Sequence, residues 1–261
     1  MGGFILGLDG DTPDVFDIHI KFIEQSAVCI AMEGLLTALR GTDLYLRMER
    51  EGRLRQEDTT GTSVNVNLNF VPEMPEEILK AGYKRVLNTI YDHGLKNYFE
   101  RCWTLLQRID RSKAPTPMST PLNPYEIVRF LAATARQMVS AQGPAYLQFL
   151  ARVITQNPTM LSEAFTLGAK GYHLRKLTEQ VTAVDNFRQY LTSMSEHFRE
   201  ELAHRARESN TRARAYASEV ILRVQQEYAR IHKDFRHTTE DALRAFLDSL
   251  EIALKKYDPS V

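Results

Sequence analysis

Apolar and polar positions alternate with two different rhythms along this chain, and the change of rhythm divides it. Residues 3–8 form a short apolar run that ends in a Gly/Asp turn, which predicts a buried strand. Thr12-Pro13 supplies a helix cap and a first-turn proline, and Phe16, Ile20 and Ile23 then recur at helical spacing through Ser26. Val28 to Met32 predicts a second strand. Thr42 predicts the cap of a helix over 43–51 that stops at Gly52. Val64, Val66, Leu68 and Phe70 alternate with Asn65, Asn67 and Asn69, which predicts a third strand with one core face and one polar face. The opening 75 residues thus read β-α-β-α-β, the pattern of a parallel sheet with crossover helices.

After Pro75 the rhythm is helical throughout. One helix is expected from Glu76 to about Asp92 and another from Asn97 to Asp110. Pro115, Pro117, Pro121 and Pro124 make 111–124 a linker. Ile127, Phe130, Leu131 and Met138 form the next stripe, and Gly143-Pro144 breaks it. Tyr146, Phe149, Leu150 and Val153 form another before Asn157-Pro158, and a further helix passes Gly168 and Gly171. The last stretch changes again. Phe187, Leu191, Met194, Phe198 and Leu202 are spaced three and four apart, as are Ala217, Ile221, Val224, Tyr228, Ile231 and Phe235, and then Leu243, Phe246, Leu250 and Leu254. Such spacing predicts long helices packed as a coiled coil or antiparallel hairpin. The expected organisation is 1–75, 76–178 and 179–261.

Composition narrows the classes of function. Of 261 residues, 43% are hydrophobic and 25% charged, and 33 basic residues balance 33 acidic ones. A net charge of zero gives no field to gather nucleic acid or an anionic membrane. No apolar run approaches the length of a bilayer span, and Asp9, Asp11 and Asp14 interrupt any secretory leader. The two cysteines, Cys29 in a strand-like run and Cys102 in a helix-like run, read as separate buried thiols of a cytoplasmic protein. Two thiols cannot make a three-cysteine cluster motif or a four-cysteine zinc site.

Five short landmarks could carry chemistry: Gly3-x-Ile5-x-Gly7 with Asp9 and Asp11; Arg40-Gly41-Thr42-Asp43-Leu44-Tyr45; Asn69-Phe70-Val71-Pro72; Tyr98-Phe99-Glu100-Arg101; and Gly171-Tyr172-His173. Each also has a structural reading: a glycine turn, a capped helix, a strand end, a helix surface and packing at a helix end. Asp9, Asp11 and His173 form no nucleophile–base spacing, and no Gly-x4-Gly-Lys phosphate loop is present.

In this order, however, the landmarks resemble the C-terminal part of cobalamin-binding radical SAM proteins, in a subgroup that includes hopanoid methylases. The similarity is close over 2–110, looser over 122–178, and absent after Thr178. It implies the remnant of a six-strand partial α/β barrel, followed by an all-α extension with coiled-coil-like helices. It also implies that Gly3, Ile5 and Gly7 lie against the adenine of S-adenosylmethionine, with Asp9 and Asp11 as neighbours. A [4Fe–4S] cluster and cobalamin are expected for the full-length family. The family's Cys-x3-Cys-x2-Cys motif is expected upstream, so this chain alone could not bind either group and would be inactive. Arg40 stands where the family has proline. The expected partner is a separately encoded N-terminal half, or a second copy joined through the helical tail. The alternative is a helical interaction module without catalytic activity.

Overall fold

The computed structural model describes residues 1–55, 68–109, 132 and 134–256, apart from the side chain of Asp234. The described chain is mostly helical, with one small parallel sheet. It divides into two compact units, Met1–Thr178 and Glu179–Val261.

The first unit begins with β1 (Gly2–Leu6), α1 (Val15–Ser26) and β2 (Ala31–Leu35). The strands pair in parallel, with Gly3 opposite Met32 and Ile5 opposite Gly34. Both strands are displaced from their predicted positions. β1 stops two residues early because Gly7, at φ +92°, turns the chain where other residues are strained. β2 starts three residues late because Ala27 takes a left-handed conformation and 28–30 continue the turn. Helix α1 also starts later than Thr12-Pro13 suggests, at Val15, and no side chain caps it; Thr12 donates its hydroxyl to Asp14 instead.

Helix α2 (Asp43–Arg50) is capped as expected, with Thr42 Oγ1 accepting the Tyr45 N–H at 3.3 Å. Residues 56–67 lie outside the described residues, and with them most of the third predicted strand. What is described is one antiparallel bridge, Leu54 to Phe70. The expected polar face fails at Asn69, which is buried. Its Oδ1 accepts the Ala38 N–H at 3.0 Å and its Nδ2 donates to the Ala38 carbonyl at 2.6 Å. The amide thereby does the work of a backbone ladder rung just beyond β2. Ala38, Met48 and Phe70 make a small core with Leu44 and Tyr45 around it.

Helices α3 (Glu76–Ile90) and α4 (Lys96–Arg108) follow closely where the periodicity puts them. α3 buries Leu79, Tyr83, Val86 and Ile90, and packs on α1 and β2. Asp92 starts α4 by accepting the backbone N–H of Lys96 and Asn97 at 3.0 and 2.9 Å. The linker 111–124 and the apolar positions 127, 130 and 131 lie outside the described residues. Met138, the last of that stripe, is 36% exposed. Gly143-Pro144 opens α5 (Gly143–Gln156), whose Tyr146, Phe149, Leu150 and Val153 are buried as their spacing predicts. Phe99 of α4 stacks on Tyr146 and Phe149, with centroids 5.6 and 5.0 Å away. Burial of each such ring contributes about 1.5–3 kcal/mol. Helix α6 (Leu161–Glu208) supplies residues to both units.

The second unit is the end of α6 with α7 (Asn210–Ala229) and α8 (Glu240–Lys255). Ser209 caps α7 through the Arg212 N–H. Contacts join Phe198 to Tyr216, Phe187 to Tyr228 and Gln180 to the His232 N–H. As one number rises the other falls, so α6 and α7 form an antiparallel hairpin. Arg188 reaches the Thr238 carbonyl and Phe198 meets Phe246, so α8 runs alongside α6 in the same direction. Phe187, Leu191, Phe198, Leu202, Val224, Phe246 and Leu250 share one core. The three-and-four spacing predicts these positions because a helix brings such residues to one face.

Candidate functional site

Of the five landmarks, the first makes an open site at the end of β1, the second and third meet in the small core around Phe70, and the last two meet in a solid seam among the helices. Strand geometry sends Gly3 and Ile5 to one face of the sheet and Phe4 and Leu6 to the other. Phe4 lies against His19 and Phe22 of α1, which marks the helix-covered face. The opposite face carries Gly3 and Ile5, with their register partners Met32 and Gly34. Ile5 is 52% exposed and Met32 48% exposed. A Cβ placed on Gly3 or Gly34 would meet nothing within 4 Å. This face is therefore apolar, nearly flat and accessible among the described residues.

The loop after β1 is tied down by its own acids. Asp11 Oδ2 accepts the backbone N–H of Gly7 and of Leu8, both at 2.9 Å. Asp9 is gripped by Arg47 and Arg53, each at 2.8 Å. The hydrogen bond from Arg53 holds the Asp9 carboxyl below its ordinary pKa, against the opposing effect of desolvation. Glu73 accepts the Gly10 N–H at 3.0 Å. Gly7 has a second constraint, since a Cβ there would lie 3.0 Å from Leu79. Gly3, Ile5, Gly7, Asp9 and Asp11 are thus brought together by one strand and its loop. The glycines and Ile5 shape a surface, while Asp11 is engaged by the loop's own amides and Asp9 by Arg47 and Arg53. His173 stands exposed in the interior of α6, not at a helix end, and does not share this loop's hydrogen bonds.

The seam reverses the helix-surface reading of Tyr98-Phe99-Glu100-Arg101, because Tyr98, Phe99 and Arg101 are buried. Tyr98 donates to the Leu167 carbonyl at 2.7 Å, and its ring lies over Gly171, where a Cβ would approach to 2.4 Å. Arg101 donates to the carbonyls of Val28 and Ile90. Tyr91 caps the start of β2, accepting the Ala31 N–H and donating to the Ala31 carbonyl. Arg175 closes the seam on the Tyr91 carbonyl at 2.9 Å. Burial raises the Tyr91 hydroxyl to about 12 and Tyr98 further, so both remain neutral donors. Periodicity alone missed this seam; the Gly168 and Gly171 pair, three apart in a helix, was its one sequence signal.

A metal centre has no support in these residues. Among the described residues no group of three His, Cys, Asp or Glu side chains could hold an ion. The two cysteines of the sequence are both buried free thiols, and that of Cys29 donates to the Ala27 carbonyl at 3.6 Å. Nor is any described helix long and apolar enough to cross a membrane.

A parallel β-α-β unit with an open face, continued by a helical domain sealed with tyrosine and arginine, is the class of architecture present. The chain belongs to the family named domain of unknown function DUF4070, which matches residues 42–186 and occurs in cobalamin-binding radical SAM proteins. The match includes the seam and begins after Gly3-x-Ile5-x-Gly7. An uncharacterized methyltransferase of Synechocystis is 27% identical over 183 residues, covering 69% of this chain and 33% of that protein. The hopanoid C-2 methylase of Rhodopseudomonas palustris is 43% identical over 102 residues, covering 38% of this chain and 19% of that protein. The chain therefore spans about a third or less of these relatives. No solved structure matches it.

Proposed function

We propose that the chain is the C-terminal part of a cobalamin-dependent radical SAM methylase. β1 and β2 are then two strands of the partial barrel. The observation that carries this reading is the uncovered Gly3/Ile5 face. A side chain at position 3 or 34 would stand in the way of a planar ring, and Ile5 and Met32 offer it apolar contact. Gly3, Ile5 and Gly7 would hold the adenine of S-adenosylmethionine. Asp9 and Asp11 would fix the loop that borders it. S-adenosylmethionine supplies the radical and methyl chemistry when bound beside a cluster, and no residue of this chain has the thiolate set such a cluster needs.

On this reading a second polypeptide or segment carries Cys-x3-Cys-x2-Cys and cobalamin, pairs along the edge of β1 that no described strand occupies, and completes the enzyme. The chain alone is inactive. Equilibrium dialysis of S-adenosylmethionine tests the site directly. The chain completed by such a partner binds it, and Gly3→Glu abolishes that binding while leaving the circular dichroism spectrum unchanged. Equal binding by Gly3→Glu would refute the assignment.

A second reading is favoured by the separate core of residues 179–261. There the helical hairpin is an interaction module and the sheet is scaffold. Sedimentation of the full chain over a range of concentrations decides this; a monomer at every concentration excludes self-association through the tail.

A further inference from the structure

Helix α1 has two apolar sides, and only one of them is covered. Phe16 and Ile23 are buried, and Asp17 next to them pairs with Arg85 of α3 at 3.0 Å. Residues three and four apart share a helix face, so Val15, Ile18 and Phe22 gather on another side. There Ile18 is 55% exposed and Phe22 56% exposed. The Phe22 ring meets that of Phe4 edge-on, with centroids 6.0 Å apart, so the apolar surface continues onto β1. Helix α3 packs on α1 and β2, which leaves this side of α1 toward the outer edge of β1. Among the described residues that edge has no partner strand, because β1 pairs with β2 alone. An unpaired strand edge beside a contiguous apolar patch marks an interaction surface, unlike apolar residues exposed singly.

We propose that the Ile18/Phe22 side of α1 docks an amphipathic helix, whose apolar stripe covers these two residues and whose own strand pairs in parallel with β1. That β-α unit belongs to the polypeptide or segment that carries Cys-x3-Cys-x2-Cys. The inference rests on the completed barrel proposed above and adds the surface on which completion occurs. Handedness selects this side. A parallel strand on the outer edge of β1, joined to β1 through a helix, makes a right-handed crossover only when that helix lies on the α1 face of the sheet. Packed helices lie about 8–10 Å apart, which brings the incoming helix onto Ile18 and Phe22. The length for such a unit exists in the relatives, of which this chain spans about a third or less. Charge selects an apolar stripe. Val15, Ile18, Phe22 and Phe4 carry no charge, and Asp17 is already held by Arg85.

The test makes the full chain in its source cells with the photo-crosslinking residue p-benzoylphenylalanine in place of Phe22. After irradiation the chain is purified and digested, and the joined peptides are sequenced by mass spectrometry. The expected adduct is with a helical stretch of the polypeptide or segment that holds Cys-x3-Cys-x2-Cys. Ile18→Asp lowers its yield about tenfold, while the circular dichroism and thermal midpoint of the purified chain stay unchanged. Gly3→Glu, on the opposite face of the sheet, keeps the adduct, which separates docking from the binding of S-adenosylmethionine. An adduct with a second copy of this chain, an adduct with a protein that lacks the motif, or no adduct overturns the proposal. Co-purification of the motif-bearing part without an adduct refutes this surface alone. Its absence from the purified chain refutes the completed barrel as well.

Discussion

The face of β1 and the seam at Tyr98 both gather residues from sequence landmarks, yet they are built in opposite ways. Around Tyr98 the tyrosine hydroxyl and two nitrogens of Arg101 meet backbone carbonyls, and glycine is needed because a ring occupies the space of its side chain. Around Gly3 and Ile5 the space is vacant among the described residues, and the polar groups of the bordering loop are satisfied by its own Asp11 and by Arg47, Arg53 and Glu73. A filled site resists substitution through stability. An open one tolerates substitution in the fold and registers it only through what binds there. Glycine therefore has two meanings in this chain, close packing at 171 and accessible surface at 3.

That contrast can be broken most forcefully at the seam. Gly171→Val should destabilise the protein by about 3 kcal/mol, because overpacking against the Tyr98 ring cannot be relieved by a flexible neighbour. Urea denaturation measures it; a change below experimental error would show that α6 is not seated on Tyr98. Tyr98→Phe keeps the ring and removes only the bond to the Leu167 carbonyl, so a smaller loss of about 1 kcal/mol is expected in the same assay.

Two acids sharpen the comparison through opposite pH dependence. Glu76 is held down to about 2, chiefly by its hydrogen bond from Arg55 and then by Lys80. Its folded pKa lies below its unfolded one, so its contribution is present above about 4.5 and fades as pH falls toward 2. The pair is partly exposed, and screening limits the effect to about 1 kcal/mol or less. Glu33 lies on the filled side of the sheet, 5% exposed, with His19 Nδ1 at 2.8 Å and its Oε2 unpartnered. Desolvation raises its pKa and His19 only partly offsets this. Here the protonated form favours the folded state, so stability declines as pH rises from the ordinary glutamate value through the raised one. Glu33→Gln should flatten that decline, and Glu76→Gln should flatten the acid limb. Stability curves from pH 3 to 7 report both; unchanged slopes would contradict the two environments.

The smallest effect is expected on the open face. Ile5→Thr should alter stability by less than about 0.5 kcal/mol, since the side chain already stands in solvent. A large loss in thermal melting would mean that the face is covered, and would sink the reading of it as a binding surface.

Local signals were legible wherever one residue's chemistry acts on its own neighbours. Thr42 caps α2, the spacing of Tyr146, Phe149 and Val153 marks the buried face of α5, and the tail's three-and-four rhythm marks its shared core. Strand ends were misplaced because two left-handed residues, Gly7 and Ala27, set them, and only Gly7 is of a type that signals it. Asn69 and Arg101 went unread for another reason. Their side chains bond to backbone carbonyls or amides that are 31 and 73 residues away, and a polar residue in an alternating or helical pattern looks solvated until that partner is known. Sequence by itself determined the helices, the glycine turn and the family likeness. Tertiary structure alone decided which polar groups are buried and which glycines are covered, because each of these depends on packing between segments that no local pattern encodes.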